Sequence, residues 1–91
     1  MIKRPALVVS TEEHNKLRKD ITLLKLSSQP VKDTKWEVLI KEWGTTGLNK
    51  PTKIVCDHIV VVPKHTVRFF GRLYPLTYNI VKRKLSLLLG I

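Results

Sequence analysis

Apolar residues gather in short β-branched runs over most of this chain and take up helical spacing only at its end. Lys3-Arg4-Pro5-Ala6-Leu7-Val8-Val9-Ser10 sets four consecutive apolar residues between a cationic mouth and a hydroxyl. With no polar residue alternating among them, the run predicts a strand buried on both faces. Ser10-Thr11-Glu12-Glu13 has the spacing of a capping box, Ser10 as cap and Glu13 reaching back, so a short helix should run through His14 to Leu17 and end near Asp20. Residues 21–28 predict a second strand, and Gln29, Pro30, Lys32 and Asp33 punctuate the loop after it. In Trp36-Glu37-Val38-Leu39-Ile40-Lys41 a third strand would carry Trp36, Val38 and Ile40 on one side. Residues 44–51 are rich in turn formers and carry no core signal.

Residues 54–62 hold the strongest strand pattern, interrupted only by Cys56-Asp57-His58 and broken by Pro63-Lys64-His65. A further short strand is expected over 67–73, split by Gly71. Then the period changes. Leu76, Ile80, Val81, Leu85 and Leu88 repeat as a helix face, and Gly90 falls where a C-cap glycine belongs. Lys82-Arg83-Lys84 should suit the late turns of that helix. Strands first and one helix last predict a mainly β single domain over 1–91, a small antiparallel sheet or barrel with a C-terminal α-helix beside it.

Charge changes the picture more than composition does. The 91 residues are 43% hydrophobic, as in a folded protein, but 17 Lys and Arg face 7 Asp and Glu, for a net charge of +10. An excess of that size in so short a chain points to a polyanion, with nucleic acid first. So small a core would gain from a partner subunit. The one cysteine, Cys56, cannot form an internal disulfide and suggests a reducing compartment. No secretory signal is visible, and the longest apolar runs fall far short of a membrane span, so a cytoplasmic protein without a membrane partner is expected.

Few residues could carry chemistry. Asp57 stands inside a run of Ile, Val and Cys, as either a structural carboxylate bonded to backbone amides or a base tuned by a cation such as Arg4. Cys56 and His58 share a strand face about 7 Å apart, too far for a nucleophilic pair, so Cys56 reads as a core thiol. One Cys and three scattered His give no metal-ligand spacing, and no cofactor fingerprint is present. Ser27 and Ser28 end a strand, where a hydroxyl and backbone amides meet phosphates well. Trp36, Trp43, Phe69, Phe70, Tyr74 and Tyr78 could stack on bases, but most should be core, with Trp43 partly exposed.

Four blocks, in order, resemble the MazF/PemK family of toxin endoribonucleases. They are Arg4-Pro5-Ala6-Leu7-Val8-Val9-Ser10 with Glu13 and Asn15; Leu24-Lys25-Leu26-Ser27-Ser28-Gln29; the glycine-led run from Gly47 to Ile59 containing Asp57-His58; and Arg72-Leu73 with the terminal helix. The resemblance implies an SH3-like β-barrel (MazF/PemK/CcdB-like) with a C-terminal helix, usually a homodimer inhibited by a cognate antitoxin protein. It implies metal-independent cleavage of single-stranded RNA through a 2′,3′-cyclic phosphate. By position, it implies catalytic roles for Arg4, Ser27 and Asp57, and RNA contacts from Lys3, Lys25, Ser28, Gln29, Lys53 and His58. Two departures stand out: the family's first strand and active-site loop would precede Met1, and Val55 occupies a position where some members carry an arginine. Alternatives are a truncated, catalytically weak toxin-like barrel that binds antitoxin or nucleic acid, and a general nucleic-acid-binding barrel.

Overall fold

The computed structural model describes residues 4–43 and 46–91. Its elements are β1 (Ala6–Val8), α1 (Glu12–Leu17), β2 (Asp20–Ser27), β3 (Glu37–Ile40), β4 (Thr52–Pro63) and α2 (Pro75–Leu89). All strands pair antiparallel in the order β1-β2-β4-β3, and the sheet curls into a half-barrel with α2 packed against it. The mainly β reading with a C-terminal helix is therefore correct.

β1 departs from expectation. It is three residues long, among the described residues pairs only with β2, and its residues are half-buried, so it is an edge strand there and not one buried on both faces. The cap of α1 also shifts by one residue. Thr11, not Ser10, caps the helix by accepting the His14 N–H, 3.2 Å away. Ser10 is used differently: its hydroxyl donates to Asn15 Oδ1 (2.6 Å) and accepts the Thr22 N–H (3.0 Å), tying α1 to β2.

β4 is the spine of the sheet. Its twelve residues pair with β2 along most of their length and with β3 over Thr52–Val55. The β2 register jumps from Lys25↔Val55 to Leu24↔Ile59, so Cys56, Asp57 and His58 form a bulge opposite one step of β2. The polar interruption within the strongest strand pattern marks that bulge. Cys56 turns inward there, fully buried, and its N–H bonds Trp36 O at 2.8 Å, extending the β3 edge.

The core lies between one face of the sheet and α2: Leu24, Val38, Ile40, Ile54, Cys56 and Val81, with Leu7, Leu48, Leu73 and Leu85 packed around them. Val38 and Ile40 face inward as their alternation requires, with Trp36 half-buried beside them. Leu48 gives the 44–51 loop a core contact that its composition concealed.

The expected strand over 67–73 does not form; these residues are irregular. Gly71 shows why glycine is needed there, since a Cβ would lie 1.7 Å from Thr46 O. That backbone packs against a loop, not along a strand edge. Phe69, Phe70 and Tyr74 on the same segment are exposed, contrary to the expectation that most aromatics are core, whereas Trp43 is half-buried as expected.

α2 begins with Pro75 at its first turn and ends on Gly90 at φ 71°, whose N–H bonds Ser86 O. Thr77, Val81 and Leu85 dock it on the sheet, while Leu76 and Ile80, expected on the packed face, are exposed with Leu87 on the opposite side. Lys82-Arg83-Lys84 falls mid-helix and not in the last turn. Lys84 instead donates to the carbonyls of Thr34 (2.7 Å) and Lys35 (3.0 Å), anchoring α2 to the segment before β3.

Candidate functional site

The sheet has two faces, and the one opposite the core carries the polar groups that the sequence singled out. In β2 the even positions Leu24 and Leu26 face the core side, so Lys25 and Ser27 project from the other. Ser27 pairs with Lys53 of β4, and directly opposed residues share a face. The β1–β2 register runs Ala6↔Lys25, Leu7↔Leu24, Val8↔Leu23. Continued two residues beyond the N-terminal end of β1, it sets exposed Arg4 opposite Ser27. Ser27 and Lys53 thus form one row across β2 and β4, with Lys25 one step along, and Arg4 lies two residues before β1 on the line that continues this row.

Each member of the row has a distinct environment. Arg4 is exposed and lies just before β1, in front of a proline that fixes its neighbour's φ. The half-buried Ser27 hydroxyl oxygen accepts the Gln29 N–H at 3.1 Å. With one lone pair so occupied, its proton is free to point outward as a donor. Ser28 and Gln29 are exposed on the loop that follows, and Lys25 is exposed on the same face as Ser27.

Lys53 is the exception. Its side chain is 5% exposed, and its ammonium donates to Glu37 Oε1 and to Pro30 O, both at 2.9 Å. It was expected to contact RNA; in this arrangement it is buried behind the surface and paired. Glu37 Oε1 also accepts the N–H of Lys32 (2.7 Å) and of Asp33 (3.3 Å). Those amide donors, with Lys53, hold the Glu37 carboxyl down from 4.5 to about 2. Sequence reasoning missed Glu37, although a charge between Trp36 and Val38 on a half-buried strand was the signal available.

Asp57 and His58 stand exposed in the β4 bulge. The bulge accounts for the place of Asp57 in an apolar run and turns it to solvent. Asp57 lies four positions along β4 from Lys53, within the bulge. Cys56 is buried, and that burial pushes its thiol up from 9.0 to about 11, as befits a core residue. Lys3 lies outside the described residues. Among the described residues no group of three His, Cys, Asp or Glu could hold a metal ion, and no helix is long and apolar enough to cross a membrane.

What the row can do chemically is limited and clear. A guanidinium fork, a hydroxyl with a proton to donate and a lysine are donor types that a phosphodiester takes.

A family model described as PemK-like, MazF-like toxin of type II toxin–antitoxin systems matches residues 2–89. A search of curated proteins finds no match. Among solved structures, Mycobacterium tuberculosis toxin MazF-mt6 superposes with a TM-score of 0.82 at 20% identity, over 97% of this chain and 87% of that one. An endoribonuclease in complex with its cognate antitoxin from a mycobacterial species gives 0.82 at 21% identity, over 97% and 82%. A MazE–MazF structure from Deinococcus radiodurans gives 0.80 at 22% identity, over 98% and 84%. At these identities the likeness is one of fold.

Proposed function

We propose that this chain, which belongs to the family of PemK-like, MazF-like toxins of type II toxin–antitoxin systems, is an endoribonuclease that cleaves single-stranded RNA with Arg4 and Ser27 on the scissile phosphate. The observation that carries this reading is the register of β1 on β2, which, continued past Ala6, runs exposed Arg4 toward Ser27, whose hydroxyl accepts the Gln29 N–H and keeps its own proton to donate. In the proposed reaction the ribose 2′-oxygen attacks the adjacent phosphorus, leaving a 2′,3′-cyclic phosphate on one fragment and a 5′-hydroxyl on the other. Charge grows on the non-bridging oxygens as the 2′-oxygen attacks. A fixed guanidinium and a hydroxyl donor stabilise that state more than the ground state, typically by a few kcal/mol per donor.

Lys25, Ser28 and Gln29 border the row and serve as contacts to the flanking backbone or bases. His58 and Asp57, further along β4, lie on the path of the strand away from the row. Asp57, exposed in the β4 bulge, is proposed as the base that the family resemblance implies. The reaction as drawn uses no metal. The net charge of +10 suits a chain that must neutralise several phosphates.

The exposed apolar groups of α2, Leu76, Ile80 and Leu87, support a homodimer. The two related structures of toxin with antitoxin support a cognate antitoxin as the protein partner. Such a toxin would work in the cytoplasm, where its RNA is.

The test is to incubate the purified chain with single-stranded RNA in EDTA and to analyse the ends. Fragments with 2′,3′-cyclic phosphate and 5′-hydroxyl ends are expected, with no cleavage of the all-deoxy strand. Intact RNA, or fragments with 5′-phosphate ends, would overturn the reading.

A further inference from the structure

The segment after Ser27 has no regular structure until β3 begins, yet it is held at several points by one ion pair. Lys53 lies directly across from Ser27 in the β2–β4 register, and Glu37 is its diagonal neighbour on β3, since Glu37 pairs with Val55 and Leu39 with Lys53. From there the Lys53 ammonium reaches the Pro30 carbonyl, three residues past Ser27, while also donating to Glu37. The Glu37 carboxylate in turn takes the amide protons of Lys32 and Asp33. Pro30, Lys32 and Asp33 are thus fixed to the sheet by two side chains. With two of its three protons taken and its side chain enclosed, the Lys53 ammonium has little surface left to meet a phosphate.

We infer that Lys53 and Glu37 are positioning residues, an ion pair of a buried lysine and a half-buried glutamate that locks the segment from Ser27 to Asp33 so that the Ser27 hydroxyl and the Ser28 and Gln29 contacts meet RNA pre-organised. The inference rests on the endoribonuclease reading above and deepens it. The clamp works on both ends of a short span. Ser27 is held by the β2 ladder and by the Gln29 amide, and Pro30 is held by Lys53. Between these points only Ser28 and Gln29 remain exposed, and little conformational freedom is left for binding to remove. A lysine in this place therefore affects the rate of the chemical step without adding a phosphate contact.

The experiment compares the full-length chain with Lys53→Met, Glu37→Gln, their double variant and Lys25→Ala. Single-turnover cleavage of single-stranded RNA gives the rate, and binding of the all-deoxy strand over a series of salt concentrations gives affinity and salt slope. Lys53→Met and Glu37→Gln should each lower the cleavage rate by about 10²-fold, the loss expected of a misplaced reacting group. Their double variant should fall no further, because the two act as one unit. Neither should change the salt slope, whereas Lys25→Ala should reduce it by about 0.7, the value of one single-strand phosphate. A slope reduced in Lys53→Met with its rate intact would overturn the inference and make Lys53 a phosphate contact. So would losses that multiply in the double variant. Glu37→Gln keeps the size of the side chain but replaces the carboxylate by a neutral, weaker acceptor for its three donors, and gives the same reading if Lys53→Met fails to fold. Failure of the wild-type chain to cleave is a different result, since it removes the endoribonuclease reading. In that case amide exchange at Lys32 and Asp33 still reports on the clamp: slow exchange in wild type and fast exchange in Glu37→Gln is expected, and equal rates overturn it.

Discussion

Replacing Val81 by alanine measures how α2 holds the sheet. Val81 is fully buried and is the one α2 residue within the buried core cluster, against Leu24, Val38, Ile40, Ile54 and Cys56. The change removes two carbons, worth about 1.6 kcal/mol in lost transfer free energy at ~0.8 per methylene. If the space of roughly 50 Å³ does not close, a void term of about 24 cal/mol per Å³ adds ~1.2 kcal/mol. The expected loss is therefore about 1.6 to 2.8 kcal/mol. For a domain of this size that corresponds to roughly 6–22 °C in Tm. The control is Ile80→Ala on the same helix, where the side chain is 41% exposed. Thermal melts by far-UV circular dichroism at low micromolar protein should show a large fall for Val81→Ala and a small one for Ile80→Ala. The two should separate further in concentration dependence if the homodimer proposed above forms through the exposed face that carries Ile80. A Val81→Ala variant that melts within about 2 °C of wild type would refute the docking argument.

Two further outcomes follow from the perturbed groups. The Glu37 carboxyl titrates near 2 in the folded chain against an ordinary 4.5, so its stabilising contribution is complete above 4.5 and is lost as pH falls toward 2. The gap in urea midpoint between wild type and Glu37→Gln should accordingly be constant above pH 5 and close between pH 4.5 and 2; a gap indifferent to pH contradicts the network. Cys56 is raised to about 11, which favours its neutral form, so stability should decline as pH climbs from about 9 toward 11. At pH 8 iodoacetamide should label Cys56 only as fast as the chain opens, and rapid stoichiometric labelling of the folded protein would contradict its burial.

How much of this was legible in the sequence depends on the range of the forces involved. β2, β3, β4 and α2 are written in local apolar periodicity, and the structure places them within a residue or two of where that pattern does. The bulge left a trace, three residues of mixed character in a β-branched run, that the sequence reading took as an interruption and not as a bulge. What local pattern could not supply was partners. Residues 67–73 read as a strand, but no described strand edge accepts them, and the Gly71 backbone is held against Thr46. β1 read as central because its residues are apolar, yet among the described residues only β2 flanks it.

The site shows the same division. Arg4 and Ser27 were visible as residue types in suggestive places, and their alignment needed the β1–β2 register. Lys53 looked like a surface cation because lysine usually is one. Its burial depends on Glu37, sixteen positions away on another strand, and on a proline carbonyl that becomes an acceptor only when the loop folds back. Asp57 was the reverse case. Its apolar neighbours implied burial, and the bulge turns it out to solvent.

The central claim is that Arg4 and Ser27 act on one phosphate. A double-mutant cycle on the single-turnover rate of RNA cleavage tests it most directly, with Arg4→Ala, Ser27→Ala and both together. Arg4 is exposed, so its loss should leave the Tm in place while the rate falls by about 10²–10³. Ser27→Ala should fall in the same range, and the double variant should lose less than the product of the two, because each donor depends on the other's hold on the phosphate. Full multiplication of the losses, or an Arg4→Ala variant that cleaves at the wild-type rate, would contradict the account.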